Sequence, residues 1–193
     1  DHHQFGDAGF GLPPERFWEA SSIGQLYRLL MLGNPSKEHL ILAALDHSMV
    51  HARQGKCPGV TAEEVKHLSR VKIAQRKGID LSVVEACVHQ MRERIKISPS
   101  ITIGKQAVAD LQSVVMGVGY SLEYLCTLEA LADLEVAAVL ASRNTTDAPE
   151  KIILCGAVAN QTVESFLRLE GPAMGLVNIY GVPARGYAGG YRA

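Results

Sequence analysis

His47 and His51 stand four residues apart in a segment of helical periodicity, so both imidazoles reach one face. Metal-binding helices use that spacing. A metalloprotease helix carries Glu directly after its first His, and this chain has Ser48 there. The pair also borders the apolar line Ile41, Leu45 and Ala52, so two hydrogen-bonded histidines at a core margin are the simpler account. His39, earlier in the segment, reads as exposed. Glu129 and Asp133 form an acidic pair with the same spacing, where like charges repel by about 0.2–0.5 kcal/mol. If buried, such a pair takes up a proton or calls for a cation; a solvated stripe is the expectation. His47, His51, Glu129 and Asp133 together would make a helix-bundle metal centre, but without the Glu-x-x-His pairs such centres carry. No cofactor is expected.

The second chemical candidate is cationic. Lys66, Arg70, Lys72, Arg76 and Lys77, continued by Arg92, Arg94 and Lys96, can follow a phosphate backbone or dock an acidic partner. Thr61–Lys105 holds nine Lys/Arg against five Asp/Glu, whereas Gln106–Lys151 holds two against seven. Opposed faces of this kind suit self-association or an oriented partner contact. Two helices joined at Gly78-Ile79 also fit a helix-turn-helix loosely. Acidic residues dilute the basic run, so a solvated face or protein-docking surface outranks nucleic acid.

Other motifs fall short. Gly104-Lys105 after a short strand resembles a phosphate loop, but Pro99 stands where that loop needs glycine and Gln106 where it needs Ser or Thr. A lone anion at the N-terminus of a helix starting there is the residual reading. No Ser lies in a G-x-S-x-G elbow. Cys57, Cys87, Cys126 and Cys155 never pair as CxxC, and they read as small hydrophobes of a reducing compartment.

The elements that position these groups are mostly helical. Residues 1–13 form an irregular lead-in. Helices are expected from Pro14 to Gly33, from Asn34-Pro35 to about Arg53, and from Thr61 to Gly78, the last opened by a Thr61/Glu64 capping box. Leu81, Val84, Val88, Met91 and Ile95 line one face of a helix over Asp80–Lys96. Ser100–Gly104 reads as a short strand and Lys105–Met116 as a helix weakened at Gly117 and Gly119. A long helix follows to Ser142, apolar round most of its circumference and so suited to a bundle centre or an interface. Asn144–Pro149 reads as a polar loop, Lys151–Cys155 and Leu176–Tyr180 as strands, and Asn160–Leu169 as a helix. The tail from Arg185 is Gly-rich and reads as mobile.

The 193 residues, 47% hydrophobic and 20% charged with a net charge of −1, describe one globular domain. No run reaches the ~20 apolar residues a membrane span needs. The expectation is a soluble, cytoplasmic, mainly α, bundle-like domain over 14–193 with a small β element from its C-terminal third; α+β is the alternative. Residues 14–98 and 99–193 are candidate subdomains. The expected function is non-enzymatic: a protein–protein interaction or assembly module, self-associating or part of a larger complex. Nucleic-acid binding through 66–96 is the first alternative and a small metal-dependent enzyme the second.

Overall fold

A computed structural model describes residues 6–113, 120–143, 145 and 147–192. Contacts divide the chain into two compact units, Asp1–Lys72 and Ile73–Ala193. The architecture is α+β rather than a helical bundle, because a six-stranded mixed sheet runs through the second unit.

The first unit is helical. A turn of 3-10 helix at Pro14–Arg16 leads into α1 (Phe17–Ala20), and α2 (Ser22–Leu29) follows directly. The single helix expected over Pro14–Gly33 is broken at Ser21, whose extended backbone lets its Oγ accept from Gly24 N at 3.1 Å. Ser36, not Asn34, caps α3 (Lys37–Arg53), accepting from His39 N at 3.2 Å. Inside α3, Ser48 leaves helical geometry (φ −144°, ψ 53°) and kinks the helix beside buried His47. α4 (Ala62–Lys77) begins with the expected capping box. Glu64 Oε2 accepts from Thr61 N at 2.9 Å, and Thr61 Oγ1 accepts from Glu64 N at 3.2 Å. Phe17, Ile41, Ala44, Ala52, Cys57 and Val65 form this unit's core.

In the second unit, α5 (Leu81–Ile97) buries Val84, Val88, Met91 and Ile95 of the predicted stripe and leaves Leu81 half-buried. Then come β1 (Ser100–Ile103), β2 (Gln106–Leu111), α6 (Leu122–Leu134), β3 (Ala137–Ser142), β4 (Lys151–Gly156), α7 (Asn160–Ser165), β5 (Leu176–Val182) and β6 (Tyr187–Arg192). The sheet order is β1-β2-β3-β4-β6-β5, antiparallel except where β2 and β3 run parallel across the α6 crossover. One core joins α5 and α6 to Leu111, Ala138 and Leu140. The other joins α7 and Phe166, in the π-helical turn after it, to Val139, Ala141, Ile152, Leu154 and Ala188. β3 therefore supplies alternate residues to both cores and is buried on both faces.

Three expected elements change type here. The segment taken as a helix from Lys105 is a hairpin return, because Gly104 (φ +57°) turns β1 into β2. Residues 114–116, the end of that expected helix, and 117–119 after it lie outside the described ones, as do residues 1–5, 144, 146 and 193. The long helix expected to Ser142 stops at Glu135, which takes a left-handed conformation (φ 53°) and releases the chain into β3. The Gly-rich tail is an inner strand. On β6, a Cβ at Gly189 would sit 2.8 Å from the Tyr180 hydroxyl, and one at Gly190 would sit 3.1 Å from Leu176 Cβ. Glycine is needed because side chains approach this strand from both faces. β5 carries an irregularity between Val177 and Tyr180, where Asn178 is left-handed (φ 49°). No described helix is long and apolar enough to cross a membrane.

Candidate functional site

Among the described residues, a run of exposed large apolar side chains lies at the end of α2. Leu26, Leu29, Leu30, Met31 and Leu32 are all exposed, Leu29 at 77% and Met31 at 90%. The helix ends there without glycine. Leu32 N donates to Tyr27 O at 3.0 Å and Met31 N to Arg28 O at 3.4 Å, which requires Met31 to be left-handed (φ 50°). For a residue bearing a side chain, that conformation costs about 1–2 kcal/mol. Gly33, the stop expected from sequence, lies two residues further on. The chain thus places a strained methionine, almost fully in water, at the centre of a leucine cluster. Large contiguous apolar patches on a folded surface mark contact sites. A four-residue run of apolar types also cannot face one core at helical periodicity, and that was the signal in the sequence.

His39, His47 and His51 sit in the same unit. His47 is 1% exposed, and its Nε2–H donates to Leu12 O at 2.9 Å. His39, expected to be exposed, is half-buried, with its Nδ1 hydrogen-bonded to the Tyr27 hydroxyl at 2.5 Å. Burial above all, then nearby Lys56, holds the His51 pKa below the ordinary imidazole range; Glu15 opposes this and His47 adds slightly to it. The unfolded chain then binds more protons on acidification than the folded one, so stability falls as pH drops below the ordinary value of about 6.5 and the loss is complete below the folded value. Urea midpoints should be lower at about pH 5.5 than at about pH 7.5, and His51→Gln should flatten the difference.

Glu129 and Asp133 belong to the second unit, away from the solvated stripe expected of them. Glu129 is 2% exposed, and Asp133 lies 4.0 Å from Arg92. No three His, Cys, Asp or Glu side chains among the described residues converge to hold a metal ion.

The basic run is divided by its partners. Lys72 Nζ lies 2.6 Å from Glu38 and Lys96 Nζ 2.7 Å from Glu93. The Arg76 guanidinium stacks 4.8 Å over the Tyr120 ring. Lys66, Arg70 and Lys72 belong to the first unit, and Arg76, Lys77, Arg92 and Lys96 to the second. At the expected anion position, Gly104 N–H already donates to a carboxylate of the chain itself, Glu170 Oε1, at 3.0 Å.

One cluster had no counterpart in the sequence. Tyr180 packs against Tyr187 and Tyr191, with ring centroids 5.8 and 6.3 Å apart, and Lys151 Nζ stands 5.4 Å from the Tyr180 centroid. Burial, then the neighbouring Tyr180 hydroxyl, pushes the Tyr187 phenol above its usual range. Beside this face, an open recess of about 610 Å³ is lined by Arg143, Asp147, Ala148, Pro149, Glu150 and Arg192. Its charges largely compensate, since Arg192 Nη1 lies 2.7 Å from Glu150 Oε2. These tyrosines come from β5 and β6, consecutive strands joined by the short turn at Pro183–Arg185, and the cluster was hidden because the Gly-rich β6 reads as a loose tail. No family model, curated protein or solved structure matches the chain.

Proposed function

We propose that this chain is a protein–protein assembly module whose first unit associates, with another copy of itself or with a partner subunit, through the apolar surface Leu26–Leu32. One observation carries the reading: four exposed leucines flank an exposed methionine held in a left-handed turn. Non-glycine backbone strain persists where something else selects for it, and a contact surface is the simplest selector for a strained, exposed hydrophobe. The argument from the supposed apolar helix to Ser142 falls away, because that apolarity is spent on α6 and β3 within the chain's own sheet.

The test is light scattering on the full chain across a concentration series, with Leu29→Asp/Met31→Asp alongside. Fully burying a Leu or Met side chain contributes about 1.5–3 kcal/mol. Placing charges at both positions should therefore weaken association at least ~100-fold, while the circular dichroism spectrum stays unchanged because both side chains are exposed. A chain that is monomeric at every concentration and indifferent to the substitutions overturns the reading. Nucleic-acid binding through Lys66–Lys96 remains the second reading, weaker because Lys72 and Lys96 already face carboxylates.

A further inference from the structure

Five of the chain's six tyrosines gather on one side of the sheet in the second unit, and two cations stand among them. Strand register assigns the side. Lys151, Ile153 and Cys155 share one face of β4, and the first two pair with Tyr191 and Gly189 of β6. Gly189 pairs in turn with Tyr180, and Tyr187 with Val182, on β5. Paired residues of neighbouring strands point the same way, so Tyr180, Tyr187 and Tyr191 lie on the side of Cys155, where α5 and α6 pack. The helices stop short of them. Among the described residues, the core under α5 and α6 takes nothing from β5 or β6, whose buried Leu176 and Ala188 serve the opposite face. The Tyr180 ring lies across β6, where a Cβ at Gly189 would meet its hydroxyl oxygen at 2.8 Å and its Cζ at 3.0 Å. Val177, paired with Tyr191 and 44% exposed, continues the surface. On α6, Tyr124 packs against the helical core, and Tyr120, 59% exposed, stands beside it with ring centroids 6.1 Å apart. Lys151 and Arg76 each stand over a tyrosine ring, at 5.4 and 4.8 Å, and neither has a carboxylate partner among the described residues.

We propose that this side of the second unit binds single-stranded nucleic acid, with bases stacking on the tyrosine rings and phosphates meeting Lys151 and Arg76. A tyrosine ring accepts any unpaired base through its π face, and a cation at the ring stands where the backbone between stacked bases runs. Charge selects an anion: the β4, β5 and β6 residues paired across this face include Lys151 and no Asp or Glu. A duplex keeps its base faces stacked inside itself and has none to lay on the rings. An extended peptide would instead add along the β5 edge, which the irregularity at Asn178 interrupts. The site is separate from Leu26–Leu32 and shares only Arg76 with the basic run of α4 and α5, so it stands or falls independently of association through the first unit.

The experiment is fluorescence anisotropy of the full chain with labelled oligothymidylate, oligouridylate and a DNA duplex of equal length, repeated across a salt series. At least one single strand should bind, and the duplex should bind far more weakly. Lys151→Gln should lower the slope of log affinity against log salt by about 0.7, the share of one phosphate contact on a single strand. Tyr120→Ala should weaken binding about tenfold while the circular dichroism spectrum stays unchanged, because that ring is largely in water. Tyr191→Phe, which keeps the ring, should bind as the unaltered chain does, and Tyr191→Ala should lose about as much as Tyr120→Ala. Three results overturn the proposal. One is no binding of either single strand at low salt, and another is a duplex bound as tightly as a single strand. The third is affinity indifferent to the Lys151 and tyrosine substitutions; a loss with Arg94→Gln instead, exposed on α5, would move the contact to the basic helices.

Discussion

Phe166→Ala should lower the unfolding free energy by about 3–5 kcal/mol, a large share of what a domain this size possesses. Phe166 is fully buried beneath the sheet, in the core that also holds Val139, Ile152, Leu154 and Val163. Two features keep the vacated space from collapsing. One wall is sheet, whose strands are fixed by their ladders. The other is the π-helical turn Phe166–Glu170, pinned where a Cβ on Gly171 would already sit 2.8 Å from the Phe166 carbonyl. Urea unfolding followed by far-ultraviolet circular dichroism should show the midpoint displaced with its slope retained. A displacement worth less than about 1 kcal/mol would mean that this side chain does not fill the space assigned to it.

Gly24→Ala should be about as costly, roughly 3 kcal/mol or more, for the opposite reason. A Cβ at this position would lie 1.7 Å from the Trp18 carbonyl oxygen and 2.7 Å from its carbon. Both are backbone atoms, so no rotamer change relieves the contact. Either α1 or α2 must move, and moving α2 breaks the Ser21 cap on Gly24 N. Amide hydrogen exchange reads the outcome directly, with protection lost first across Ser22–Leu29. Association should weaken together with α2 order, whereas Leu29→Asp/Met31→Asp should remove association and leave α2 protected; comparing the two variants separates the helix from the surface it carries.

Legibility followed how local each determinant is. α4 and α5 could be read because an amphipathic stripe, a capping box and a terminal glycine act within a few residues of one another. β4 could be read from its β-branched run. β3 could not: Ala137–Ser142 is buried on both faces, so it has no period of two, and it continues the apolar run of α6 with only the left-handed Glu135 between them. β6 was hidden for another reason. Its glycines are set by Tyr180 and Leu176 arriving from a neighbouring strand, and sequence statistics equate glycine with looseness. Of the candidate sites, the i, i+4 pairs were legible as pairs, but whether each faces water is decided by packing far away in sequence. That is why Glu129 is buried while the leucines of α2, which look like ordinary core residues, are not.

The irregularity between Val177 and Tyr180 bears on what the molecule must avoid. β5 is a border strand, and a straight border offers its amides and carbonyls at even intervals to any extended peptide that drifts by. The left-handed Asn178 puts that row out of step midway along, so an incoming strand can match one half or the other but not both. Fibre-like growth from this side is thereby frustrated in a protein that leaves several leucines bare elsewhere.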